Sequence, residues 1–294
     1  MLSEKILERY RVTDGDKFKL KDYDPGDTGD VDFDKKDGKE LLEVGVKKLA
    51  KLQERLYAEG KWAILMVLQG IDTAGKDGAI KHVMSGVNPQ GCSVHSFKQP
   101  SHLELAHDFL WRCNKALPMR GHIGIFNRSY YEETIVVRVH PEFLAKQNIP
   151  PKLVTKNIWK ERYQDINNFE QRLARSGTVP IKFFLNISKE EQLKRLLARV
   201  DDPDKRWKFS TYDLAERKLW DQYQVVYEDT IRNTATKHAP WYVIPCDKKW
   251  FARLVVAAVL AKHMEALDLH FPKIDADEMK AIEAAHKELL AEKK

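Results

Sequence analysis

Nine consecutive residues, Gly70-Ile71-Asp72-Thr73-Ala74-Gly75-Lys76-Asp77-Gly78, carry the most specific chemistry in the chain. The spacing is G-x-x-x-x-G-K. Glycines let a backbone curl until successive N–H groups face one anion, and a helix starting at the lysine adds free amides and a positive dipole end. Lys76 then reaches back as a point charge, so Gly70, Thr73, Ala74, Gly75, Lys76, Asp77 and Gly78 are read as a phosphate cradle. Two residues depart from the usual pattern. Asp77 stands where a Ser or Thr ordinarily ligates Mg²⁺, and Asp72 adds a carboxylate inside the cradle. A carboxylate there is unfavourable unless a cation neutralises it, so Asp72 is assigned to holding Mg²⁺.

A second constellation is Asn127-Arg128-Ser129-Tyr130-Tyr131-Glu132-Glu133. Asn127 stands where a polar residue at a neighbouring strand end helps to place a metal, directly or through water. Arg128 suits bidentate contact with phosphate oxygens. A third lies in residues 194–208, where Lys194, Arg195, Arg199, Lys205, Arg206 and Lys208 surround a helix break at Pro203. This is the composition of a lid whose cations close over transferring phosphates, and Lys205, Arg206 and Lys208 are its candidates. Trp207 either packs that lid down or stacks on a base.

These groups need a scaffold that brings strand ends together. Trp62–Leu68 is an unbroken apolar run immediately before the glycine loop, as a central parallel strand covered on both faces requires. Further strands are expected at Cys92–Phe97, Ile123–Phe126, Pro180–Ile187 and Trp241–Pro245. Helices are expected at 41–57, from Lys76 to about Met84, at 102–117, across 188–237 with an interruption at 201–208, and at 249–267. Alternating strands and helices imply an α/β fold, with a parallel five-stranded sheet between two helical layers and right-handed crossovers. The organisation expected is a polar arm over 1–40, a catalytic domain over 41–270 with its lid at about 188–215, and a charged C-terminal helix over 271–294. The arm includes seven aspartates within residues 22–40 and reads as solvated.

Composition narrows the class. Of 294 residues, 43% are hydrophobic and 32% charged, which suits a globular protein with a large core rather than a disordered or collagenous chain. The net charge of +6 fits an anionic partner without choosing one. Three cysteines form no paired motif, so neither a disulfide framework nor a structural metal is expected. The first residues lack the apolar stretch of a signal peptide, and the longest apolar helix candidate, Leu254–Ala261, falls far short of a membrane span. A cytoplasmic protein without membrane or nucleic-acid partners is expected.

GIDTAGKDG, FNRSYYEE and DDPDKRWKF occur in this order, flanked by LWRCN and APWYVIPCDKKW, and together resemble the polyphosphate kinase 2 family over residues 40–265. The resemblance implies a thymidylate-kinase-like P-loop fold and Mg²⁺- or Mn²⁺-dependent phosphoryl transfer between inorganic polyphosphate and nucleotides. It places Asp72, Lys76, Arg128 and Arg206 among the catalytic residues. Where most of the family has Asp-Arg-Ser, this chain has Asn-Arg-Ser followed by Tyr-Tyr-Glu. That variant is similar to the class III branch, which phosphorylates both nucleoside monophosphates and diphosphates, and it sets Ser129, Tyr131 and Glu132 beside the acceptor. AMP, ADP, ATP and guanine nucleotides are the implied partners, and a homodimer or homotetramer the implied assembly. Two other readings stay open: an ATP-dependent nucleotide kinase on the same fold, and a non-catalytic polyphosphate- or nucleotide-binding module.

Overall fold

The computed structural model describes residues 2–293. Its centre is β2 (Ala63–Gln69), every residue of which is buried. An unbroken apolar strand is stable only where both faces are covered. On one side β2 pairs with β4 (Ile123–Asn127), which pairs with β3 (Cys92–Ser96); on the other it pairs with β5 (Thr178–Asn186), followed by β6 (Trp241–Pro245). These five strands are parallel. With β1 (Arg11–Val12) at one edge, the sheet order is β1-β6-β5-β2-β4-β3, so the chain reverses direction across the sheet at β2.

The sixth strand corrects the five-stranded expectation. β1 (Arg11–Val12) lies antiparallel on the outer edge of β6, delivered there by helix α1 (Glu4–Tyr10). A solvated arm over residues 1–40 is therefore not what forms. Leu7, Tyr10, Val12, Phe18 and Leu20 are all core residues, because the edge and upper end of β6 would otherwise face water. These apolar residues are too widely spaced among charges to have stood out in the sequence.

One helical layer holds α2 (Lys35–Glu59), α3 (Lys76–Val83) and α8 (Lys249–Glu265). α2 begins earlier than expected because Asp34 and Asp37 form a reciprocal capping box, and it ends where Gly60 adopts a left-handed φ of 64°. α8 is buried continuously from Leu254 to Ala261, since it lies between the sheet and α2. The other layer holds α4 (Ile158–Arg175) and α7 (Trp220–Thr234). α4 had no counterpart in the sequence reading, although its buried Tyr163, Ile166, Phe169 and Leu173 recur at helical spacing. Conversely, the single helix expected at 102–117 is two short pieces, His102–Leu105 and Trp111–Lys115. The lid segment consists of α5 (Lys189–Asp201), a 3₁₀ stretch at Pro203–Lys208 and α6 (Thr211–Lys218). The last helix, α9 (Ala276–Ala291), is exposed along its whole length.

One buried polar cluster ties the second layer to the sheet. Lys182 of β5 and Glu170 of α4 form a fully buried ion pair at 2.7 Å. The hydroxyls of Tyr130 and Tyr131 both donate to Glu170 at 2.8 Å, and Lys182 also donates to the Thr234 carbonyl at 2.7 Å. Each charge thus has hydrogen-bond partners besides its counter-ion, as burial requires.

Candidate active site

The carboxyl ends of β2, β4, β5 and β6 open into one cleft of about 790 Å³. Ligands bind parallel sheets at such ends, beside the strand where the order reverses. The glycine loop leaves Gln69 and enters α3 at Lys76. Its curl depends on left-handed or related backbone at Gly70 (φ 155°), Thr73 (φ 69°) and Gly75 (φ 112°). A side chain on Gly70 would bring its Cβ to 2.9 Å from the Leu185 carbonyl, so that position has no room for one. Lys76 folds back across the loop and donates to the carbonyls of Gly70 and Ile71. Burial pulls its pKa down, with Arg128 adding to the effect, while Asp72, Glu132 and Asp77 oppose it.

The second constellation divides between site and core. Arg128 holds a left-handed φ of 64° and donates to Asp72 at 2.8 Å, with Glu132 at 3.6 Å on its other side. Glu132 raises the Arg128 pKa, while burial raises that of Glu132 against the pull of Arg128 and Lys76. Oriented to satisfy both ends, the Gln69 amide donates to Glu132 and accepts from Ser129. Ser129 and Tyr131, expected beside the acceptor, are instead fully buried. Ser129 accepts from the Tyr131 amide, and the Tyr131 hydroxyl joins the Glu170–Lys182 cluster. They hold Arg128 and Glu132 in place from below.

Asn127 donates to Asp77 at 2.7 Å. The two departures from the usual motif therefore answer each other: a carboxylate at 77 meets an amide donor at 127 rather than a second negative charge.

In the lid segment, Lys205 and Lys208 line the cleft, with Lys205 paired to Asp202. Arg206 does not line it; its Nε donates to the Val200 carbonyl at 2.8 Å. Trp207 is 77% exposed, so it neither packs against the core nor meets the glycine loop.

Other cleft residues did not emerge from the sequence. Lys249 and Arg253 project from the first turns of α8, where burial lowers the pKa of each. Their signal was the position of DKKW directly after β6, since residues just past a parallel strand stand at the mouth of the site. In all, the cleft lining holds ten Lys or Arg side chains against the three carboxylates Asp72, Asp77 and Glu191. Phe97 is its one aromatic, 8% exposed and packed on Phe126 at 4.8 Å. Among the described residues no cluster of three or more His, Cys, Asp or Glu side chains forms a ready-made metal cage.

A glycine loop between the central parallel strand and a helix, faced by cations from an interrupted helical excursion, defines a P-loop kinase fold. The family model for polyphosphate kinase 2 matches residues 32–272. The chain belongs to the polyphosphate kinase 2 family. It is 46% identical to an ADP-polyphosphate phosphotransferase of Rhodopseudomonas palustris, over 96% of this chain and 98% of that protein. It is also 46% identical to an AMP/ADP-polyphosphate phosphotransferase of Meiothermus ruber, over 91% of this chain and 96% of that one. The crystal structure of polyphosphate kinase 2 from Arthrobacter aurescens TC1 superposes with a TM-score of 0.88 at 41% identity, covering 97% of this chain and 98% of that one. No helix among the described residues is long and apolar enough to cross a membrane.

Proposed function

We propose that this enzyme transfers the terminal phosphoryl group of inorganic polyphosphate to ADP and AMP. The observation that carries this reading is the cleft lining, which holds nine Lys or Arg side chains besides the internally bonded Arg195 and no exposed aromatic face. Such a surface suits a chain of phosphates, whereas a purine is ordinarily held against an apolar or aromatic surface. The acceptor phosphate approaches from the side of Asp72, Arg128 and Glu132. One of its oxygens attacks the terminal phosphorus of polyphosphate. A new P–O bond forms as the bond to the next phosphate breaks, and the chain leaves one unit shorter. A phosphate oxygen is already ionised, so little general-base help is required. The protein's share is alignment and charge neutralisation by Lys76, Arg128 and the lid lysines.

The oxygen donors present fit a hard divalent cation that keeps waters and substrate phosphates in its shell. Asp72 and Asp77 would hold Mg²⁺, with Asn127 reaching it through water, and the ion would neutralise charge on the phosphates. Guanine nucleotides as further acceptors and a homo-oligomer as the assembly rest on the family resemblance alone.

The test supplies AMP or ADP with polyphosphate and Mg²⁺ in the absence of ATP, following products by phosphorus NMR. ADP and then ATP formed from AMP support both acceptors; ADP alone withdraws the diphosphate acceptor. No turnover until ATP is added would hand the site to an ATP-dependent nucleotide kinase.

A further inference from the structure

Arg195 differs from every other cation of the lid segment. It is 6% exposed, whereas the side chain of its neighbour Lys194 is 81% exposed. A guanidinium has five N–H donors, and the protein accepts all five. Nε donates to Glu191 at 2.8 Å. Nη1 donates to the carbonyls of Thr73 and Ala74 at 3.0 Å each. Nη2 donates to the carbonyls of Cys246 and Asp247, just beyond β6. No donor is left over for a substrate, although the residue lies in the cleft and in a block whose composition suggests phosphate binding.

Gln192, one turn earlier on α5 and 1% exposed, acts on the same loop. It donates to the Asp72 carbonyl at 3.3 Å, and its own oxygen is held by Arg217 at 2.7 Å. Two side chains of one helix thus hold three successive carbonyls of the glycine loop. In a trans peptide the carbonyl and the following N–H point in opposite directions. Drawing the Ala74 carbonyl toward α5 therefore turns the Gly75 amide the other way, toward the interior of the cradle. The loop needs such restraint, because Thr73 holds a left-handed φ of 69° that its Cβ disfavours.

We propose that Arg195 is a positioning residue: it locks the amides of the glycine loop, the stem of the lid and the end of β6 into one rigid unit, and it does not contact phosphate. The proposal rests on the phosphoryl-transfer reading only for the choice of substrates. Lysine cannot replace this arginine, since a single ammonium with three donors cannot span acceptors from both Ala74 and Asp247.

The experiment compares Arg195→Lys, Gln192→Leu and Lys208→Ala in the full chain, with folding checked by circular dichroism and thermal melting. Initial rates with ADP and polyphosphate are measured across a series of salt concentrations. Arg195→Lys is expected to lower kcat about 10²-fold, as when one aligned donor to a charged transition state is lost. Its KM for polyphosphate and the salt dependence of that KM stay near wild type, because the number of cations meeting the chain is unchanged. Lys208→Ala is expected to raise KM and flatten the salt dependence by about one counterion. Gln192→Leu follows the Arg195 pattern with a loss of about tenfold in kcat. Wild-type kcat in Arg195→Lys overturns the proposal, as does a salt dependence flattened as in Lys208→Ala, which would make Arg195 a phosphate ligand. Should Arg195→Lys fail to fold, Gln192→Leu decides, and unchanged kcat there overturns it. A wild-type enzyme that accepts only ATP as donor refutes the polyphosphate reading instead, and the same kcat comparison made with ATP still judges Arg195.

Discussion

Replacing Lys182 with Met removes an ammonium that is fully buried and donates to Glu170, the Tyr131 hydroxyl and the Thr234 carbonyl. The side chains are of similar length, so little packing is lost and the change is mainly electrostatic. Glu170 is left as a buried carboxylate with only two tyrosine hydroxyls, and breaking a buried pair in this way costs about 3–5 kcal/mol. At about 2 °C per kcal/mol for a chain of this size, the melting temperature should fall by about 6–10 °C. Lys182→Met/Glu170→Gln should recover part of that loss, with a coupling of about 1–3 kcal/mol in a double-mutant cycle. Activity should fall as well, well below the new melting temperature, because Tyr130 and Tyr131 lie between Arg128 and Glu132 in the chain and anchor both from below. Urea unfolding and steady-state kinetics read the two effects separately. A melting temperature unchanged within about 2 °C, or additive single and double variants, would refute the reasoning.

Lys76→Met should lower kcat by about 10²–10⁴-fold while the melting temperature holds, measured by coupled assay and scanning fluorimetry; activity near wild type would displace the lysine from the site. Asn127→Asp sets a carboxylate against Asp77 where the amide donor now stands at 2.7 Å; relaxed to about 4 Å, the pair repels by about 1 kcal/mol in bulk water and about 4 kcal/mol near a protein surface. That variant should need less Mg²⁺ for half-maximal rate and lose more stability on chelation than wild type; an identical Mg²⁺ titration would separate the pair from the metal. His263 is half-buried beside the Tyr242 hydroxyl at 3.0 Å, and desolvation, with Arg11 and Lys262 nearby, pulls its pKa from 6.5 down to about 4. Below pH 6.5 the unfolded chain takes up a proton that the folded one refuses, so stability falls with pH, by about 3 kcal/mol at pH 4. Urea midpoints for His263→Gln should lose that part of the acid slope, and an unchanged slope would assign it to other groups.

Chain-local chemistry was legible in the sequence and long-range packing was not. The glycine loop announces itself because its residues are contiguous and a buried strand precedes them. Arg128 joins Asp72 and Glu132 across 56 and 4 residues of chain, and Lys76 folds over the same loop. Tyr131 misled because one short motif divides between two environments: Arg128 lines the cleft with Glu132 behind it, while the hydroxyls of Tyr130 and Tyr131 reach Glu170 in the core. Arg195 misled through its company, since a basic block has no mark that tells a buried brace from an exposed ligand. Its partners Thr73 and Cys246 lie 122 and 51 residues away, a proximity that only the folded sheet creates. The N-terminal arm was misread for a related reason: its aspartates crowd into residues 22–37, while its core residues Leu7, Tyr10, Val12, Phe18 and Leu20 are spread among charges.

That arm has a practical meaning for anyone shortening the protein. The family match begins at residue 32, yet the outer rim of β6 is covered by Arg11 and Val12, which precede it. Trimming to the matched region would lay bare the backbone donors and acceptors beside Trp241 and Tyr242, the kind of sticky border along which sheets of separate molecules join. Two residues of antiparallel pairing thus serve as a hem, and a fragment cut inside it should fray into aggregates before its catalytic groups are disturbed.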